Sequence, residues 1–292
     1  MNNFRAYISD LISLTKPPII SLLLVTATGS IFLASDGSPP LLITIYILIG
    51  GTLGAAGASV INNVIDRNID KAMIRTSKRA VPSRRVSPTS ALIYGILLNV
   101  LSFILLNFTV NFISAFLTIF ASLFYIFIYT IYLKPRTTQN IVIGGAAGCF
   151  PPVIAWVGIT GYEGLFNLSP WFMFLIVFLW TPPHFWALGI LMKDDYERAS
   201  IPMLPVVHGM KRVTTEIFIY SILITVTVIL FWRFSALGLM FLVLSMINGL
   251  IYSGFCYKLL INKDRISARK SYLFSLLYLA LIFLFIIIDT LI

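Results

Sequence analysis

Polar residues fall in short intervals along this chain, and between them lie apolar runs of nearly constant length. Crossing about 30 Å of hydrocarbon takes roughly 20 apolar residues per helix. Runs of that order cover Pro17–Ala34, Leu41–Asn63, Ala91–Phe108, Ile113–Leu133, Ile141–Gly158, Pro170–Met192, Thr215–Trp232, Ala236–Tyr257 and Tyr272–Ile288. Where water is absent, only a helix satisfies its own backbone within one segment. The pattern therefore predicts an all-α, polytopic membrane protein: nine transmembrane helices in one bundle, a single integral-membrane unit over residues 1–292.

Composition agrees. Hydrophobic residues make up 59% of the chain and charged residues 11%, with a mean hydropathy of +0.95. A soluble domain of this size would lack the polar surface to cover itself. The first fifteen or so residues are polar and do not read as a signal peptide. Cys149 and Cys256 lie inside apolar runs, which predicts free buried thiols.

The net charge of +10 is explained by where the cations sit. Arg5 and Lys16 precede the first run. Arg67, Lys71, Arg75, Lys78, Arg79, Arg84 and Arg85 follow the second, and Lys134 and Arg136 the fourth. Lys193, Arg198, Lys211 and Arg212 follow the sixth; Lys258, Lys263, Arg265, Arg269 and Lys270 follow the eighth. With nine helices and a cytoplasmic N-terminus, only Arg233 faces outward, as the positive-inside rule requires. The charge thus marks topology and a lipid surface, and no nucleic acid is expected. The long connections, about 67–89 and 193–213, fall on the same cytoplasmic side, so the working face is expected there, on the cell inner membrane.

Two polar stretches carry candidate chemistry. In N-N-V-I-D-R-N-I-D, residues Asn62, Asp66 and Asp70 are spaced i, i+4, i+8 and share one helix face, with Asn63 beside them. Oxygen donors on one stripe suit a hard cation such as Mg2+. In W-T-P-P-H-F-W-A-L-G-I-L-M-K-D-D-Y-E-R, Pro182 and Pro183 sit mid-span and bend the helix, and His184 follows, about 15 Å below the cytoplasmic end. An ionisable residue at that depth is a candidate functional group. If the helix continues, Asp195 lies about 20° around the wheel from His184. Asp194, Asp195 and Glu197 would then form a second acidic cluster at the rim.

Acids alone could serve a proton or sodium relay. Acids set among Arg75, Lys78, Arg79, Lys134 and Arg136 suggest a diphosphate, with metal on the carboxylates and basic groups on the outer oxygens. A diphosphate at a membrane implies a lipid tail in an apolar groove. Small residues from Gly144 to Gly148 would let helices approach closely.

These residues resemble a known family. N-N-x-x-D-x-x-x-D followed by M-x-R-T-x-x-R resembles the aspartate-rich motif of the intramembrane UbiA-type prenyltransferases. W-T-P-P-H-F-W-A-L with D-D-Y and I-P-M-L-P, and L-K-P-R-T-x-x-N-I-V-I-G-G from Leu133 to Gly145, resemble the branch whose acceptor is protoheme. Other branches carry an acid where Asn63 and His184 stand. The resemblance implies Mg2+-assisted transfer of farnesyl from farnesyl diphosphate to a vinyl group of heme B. Asn62, Asn63, Asp66 and Asp70 would bind Mg2+–diphosphate, with Asp194 and Asp195 as a second metal cluster. Arg75, Lys78, Arg79, Lys134 and Arg136 would steady the phosphates. His184, Trp180 and Tyr196 would face the substrates, His184 as an iron ligand or a water-orienting group. A downstream heme-modifying enzyme or oxidase assembly partner would take the product. Transfer to an aromatic quinone precursor, or an ion-coupled transporter, are the rival readings.

Overall fold

The computed structural model describes residues 2–292. Nine helices among them are long and apolar enough to span a membrane: α2 (Pro17–Ala34), α3 (Leu41–Ile65), α5 (Pro88–Thr109), α6 (Phe112–Leu133), α7 (Asn140–Thr160), α8 (Leu168–Leu191), α11 (Met210–Phe234), α12 (Leu239–Asn262) and α13 (Arg265–Thr290). The expected runs are recovered one for one, with most ends within a turn of where they were expected. The extensions come from caps that hydropathy does not register. Ser87, Asn111, Asn167 and Asp264 each accept a backbone N–H from the first turn of the helix they start. Proline follows the cap in α2 and α5, where its missing N–H costs nothing.

Neighbouring helices pack α3 on α5, α5 on α6, α6 on α7, α7 on α2, α2 on α13, α13 on α12, and α12 on α11, with α8 against α11, α13 and α7. Both thiols are free and buried, as expected.

Four short helices were not legible as hydropathy. The polar leader is an amphipathic helix, α1 (Asn2–Leu14), joined to α2 through Thr15 and Lys16. The two long loops hold α4 (Arg67–Ala72), α9 (Lys193–Arg198) and α10 (Leu204–Val207). The loops meet over one end of the bundle, where Met73, Tyr196, Ile201 and Met203 pack together with Ile141 of α7.

Two spans depart from regular α-geometry. The second half of α6, Phe124–Leu133, is wound as a π-helix, a rare form that is frequent at functional sites. Within α7, Gly145–Cys149 is a 3-10 turn ahead of Pro151 and Pro152. Gly144 lies against the Tyr129 ring and Gly145 against Thr181, so these two do allow the close approach expected of them. The Pro152 carbonyl accepts the Ser30 hydroxyl at 2.6 Å. α8 holds together through Pro182–Pro183 but stops at Met192.

Candidate active site

The polar end of α3 is the centre of the site. Although α3 stops at Ile65 and α4 starts at Arg67, the Asp66 N–H donates to the Asn62 carbonyl at 2.9 Å and the Asp70 N–H to the Asp66 carbonyl at 2.8 Å. That continuous i→i+4 ladder keeps Asn62, Asp66 and Asp70 on one face, and all three are buried. Asn62 Nδ2 donates to Asp66 Oδ2 at 2.8 Å and to Thr130 Oγ1 at 3.0 Å. Lys134 Nζ donates to the same Asp66 oxygen, and Arg79 NH1 reaches both Asp70 oxygens at 3.0 and 2.9 Å.

Lys16 completes the cluster, and sequence reading placed it only as a topology charge. Because Pro17 follows it, Lys16 is kept out of the right-handed helical region and takes φ +56°. From that turn its Nζ donates to Asn62 Oδ1 at 2.8 Å. Burial, with Arg79 and Lys134 close by, lowers its amine to about 7. Two carboxylates thus face three cationic side chains. Thr130 and Lys134 were also brought here by something invisible to hydropathy, the π-winding of α6. Its i→i+5 bonds include the Lys134 N–H to the Tyr129 carbonyl at 2.8 Å.

Other expected residues have different employment. Asn63 is buried but turned away, donating to the carbonyls of Leu14 at 3.1 Å and Ser59 at 2.8 Å. Asp195 lies beyond the irregular turn at Met192 that separates α8 from α9. Its carboxylate accepts the N–H groups of Ile74 at 3.0 Å and Arg75 at 3.3 Å, clasping the two loops together. Asp194 is exposed, and Glu197 pairs with Lys193, so the rim acids do not converge. Arg136 folds back on its own helix, donating to the carbonyls of Ile131 and Tyr132. Arg75 and Lys78 are exposed at the rim. Tyr196 is buried in the cap, and that burial raises its hydroxyl.

His184 sits apart, on α8. Its ring is stacked on Trp180 at 4.3 Å and flanked by Tyr272 at 4.9 Å. Ser275 Oγ donates to the Tyr272 carbonyl at 2.6 Å and lies 2.6 Å from His184 Nδ1. A hydroxyl has one proton to give, so Nδ1–H must donate to Ser275, leaving Nε2 with a free lone pair. Trp180 Nε1 donates to the Ser275 carbonyl at 2.8 Å, which fixes the second ring.

A divalent cation can be tested against this donor set. Asp66 Oδ1 is buried without a hydrogen-bond partner, an atom that asks for a ligand. Among the described residues no three His, Cys, Asp or Glu side chains converge. Mg2+ commonly takes one or two carboxylates and completes its shell with substrate phosphates and water. Asp66 and Asp70, with Asn62 beside them, fit that mode and do not form an all-protein cage.

A membrane-spanning helical bundle with a buried acid–cation cluster under a loop cap is the architecture of an intramembrane transferase. The chain belongs to the UbiA prenyltransferase family, whose model matches residues 22–285. It is 41% identical over 281 residues to a protein named protoheme IX farnesyltransferase from Leptospira biflexa, covering 95% of this chain and 97% of that one. It is 43% identical over 283 residues to a protein of the same name from Synechocystis, covering 95% and 88%. A solved structure of a UbiA homolog from Archaeoglobus fulgidus bound to GPP and Mg2+ shares the fold, with a TM-score of 0.70 and 18% identity over 95% of this chain and 99% of that one. A structure of digeranylgeranylglyceryl phosphate synthase superposes with a TM-score of 0.79 at 18% identity, covering 100% and 99%.

Proposed function

We propose that this protein transfers a farnesyl group from farnesyl diphosphate to a vinyl group of protoheme, as one catalytic unit at the cytoplasmic face of the cell inner membrane. The observation that carries the reading is the buried pair Asp66 and Asp70, set against Lys16, Arg79 and Lys134. The heme acceptor is supported by the names of the relatives that match nearly end to end.

Asp66 and Asp70, with the Asn62 amide, would hold Mg2+ together with the diphosphate. The metal supplies charge neutralisation to the leaving group. Lys16, Arg79 and Lys134 are placed to take the outer phosphate oxygens, stabilising charge as it develops on the departing oxygen. The allylic C–O bond breaks with its electrons going to diphosphate, and the allylic carbon joins the vinyl carbon. Water adds to the remaining cation and loses a proton. His184 Nε2, with its lone pair held by the Ser275 contact, serves the heme side of the reaction. The apolar bundle keeps water from the allylic cation before capture. A heme-modifying enzyme or oxidase assembly partner would consume the product.

The test is product analysis. Purified protein in a bilayer, given heme B, farnesyl diphosphate and Mg2+, should convert heme B to a species heavier by one farnesyl group and one hydroxyl group. Heme recovered unchanged, with an aromatic acid such as 4-hydroxybenzoate prenylated instead, would move the protein to another branch of the family.

A further inference from the structure

α1 is divided lengthwise into three faces. Asp10, Leu11 and Leu14 turn to the protein: Leu14 is 1% exposed and packs with Leu11 against Ala80, Val81 and Val86. The Asp10 carboxylate binds the Arg85 guanidinium, the shortest contact being 2.9 Å. Phe4, Ile8 and Ile12, at i, i+4 and i+8, form the second face and are 69%, 39% and 53% exposed. Arg5, Ser9 and Ser13 form the third, polar face. Three large apolar side chains in a row, beside a polar stripe on a short helix, are the layout of a helix lying in a bilayer surface.

Its position supports that occupant over any other. Only Thr15 and Lys16 separate α1 from α2, so it leaves the bundle where a membrane span begins. The outward-facing Ile19 of α2 continues the apolar stripe onto the bundle's own outer surface. Exposed cations lie on α1 at Arg5 and in the loop that Asp10 holds at Lys78, Arg84 and Arg85, and they favour anionic headgroups.

Three contacts tie α1 to the candidate site. The Leu14 carbonyl accepts the Asn63 amide at 3.1 Å, directly beside Asn62. Lys16, the residue that ends the turn after α1, bonds Asn62 at 2.8 Å. Asp10 holds Arg85, in the same loop as Arg79.

We propose that α1 seats on an anionic bilayer surface through Phe4, Ile8 and Ile12, and that this seating holds Lys16 and the Arg79 loop in their diphosphate-binding positions. The second half of that statement rests on the site reading above; the first half does not.

Two measurements on the full chain in nanodiscs test the two halves. A nitroxide on Ile8→Cys should collide more with oxygen than with a nickel chelate, as a lipid-facing label does, and a label on Ser9→Cys should show the reverse. The native thiols are buried and leave the label specific. Equal water access at both positions overturns the seating. Calorimetry with Mg2+ and inorganic diphosphate then reads the coupling. Affinity should weaken roughly tenfold in phosphatidylcholine alone relative to discs containing phosphatidylglycerol. It should weaken similarly in F4S/I8S/I12S in the mixed discs, and recover in F4L/I8L/I12L. Unchanged affinity in the serine variant overturns the coupling. If the unaltered protein binds no Mg2+–diphosphate in any disc, the site reading and the coupling both fall, while the spin-label result stands on its own.

Discussion

Replacing Asp66 by Asn separates what this carboxylate does for the fold from what it does for the reaction. Asp66 is 2% exposed, accepts Lys134 and Asn62 on one oxygen and has no partner on the other. Removing its charge leaves the Lys134 ammonium, whose side chain is only 14% exposed, facing Lys16 and Arg79 without its counter-charge. Breaking one partner of a fully buried pair costs about 3–5 kcal/mol; the residual exposure of Lys134 puts D66N near the low end, about 3 kcal/mol. Turnover should fall by roughly 10²–10³, the scale for losing one electrostatic contact to a developing charge. The double variant D66N/K134M distinguishes the two losses. Because it removes both charges, it should recover most of the stability in thermal unfolding yet remain inactive in the farnesyl-transfer assay. Near-normal turnover of D66N would refute the catalytic assignment. A double variant no more stable than D66N would refute the ion-pair argument.

Asp195→Asn should make the segment from Met73 to Ser87 more sensitive to protease and weaken diphosphate binding several-fold, since it loses charge-assisted bonds to two backbone N–H groups. His184→Ala should lower product formation by roughly 10²–10⁴ while leaving diphosphate affinity unchanged; Ser275→Ala, acting through ring orientation, should lose only about tenfold. Lys16, lowered to about 7 in the fold from an ordinary 10.5, binds fewer protons folded than unfolded between those values. Its contribution to stability therefore rises with pH from about 7 to about 10.5, and the unfolding temperature of wild type minus that of Lys16→Met should rise across that window.

The spans were legible because hydrocarbon imposes one period and one length, and each of the nine runs met both. Asn62, Asp66 and Asp70 were legible because a single helical register placed them. The same register argument did not capture the irregular turn at Met192, beyond which the Asp195 carboxylate accepts the Ile74 and Arg75 amides. Asn63 shows the limit at finer grain, since one residue along the helix is about 100° around it, enough to aim its amide at α1. Lys16 and Thr130 were hidden for another reason. Each reaches the site through irregular backbone, a left-handed turn and a π-segment, that no apolar pattern encodes. The clue for Lys16 was the proline after it, which forbids a straight helix through that position.

The resting cluster pairs each charge with the group it would release on binding. Lys134 sits on Asp66 and Arg79 on Asp70, so each acid is shielded by a cation that a diphosphate would attract more strongly. On the proposed function, an arriving diphosphate would draw Lys134 and Arg79 toward its oxygens and uncover both carboxylates, where a divalent ion would be held. Lys134 and Arg79 would likewise be freed when the carboxylates take that ion. Linkage then requires each ligand to strengthen the other by the same factor. With two ion pairs exchanged in a largely dehydrated pocket, the coupling should reach roughly 10- to 100-fold. Calorimetry measures it directly, as Mg2+ affinity with and without diphosphate against diphosphate affinity with and without Mg2+. In K134M, Asp66 is already uncovered, so Mg2+ alone should bind more tightly than in the wild type and the coupling should shrink. If diphosphate and Mg2+ bind independently in the wild type, or if K134M leaves the coupling intact, the exchange of partners is not how this site works.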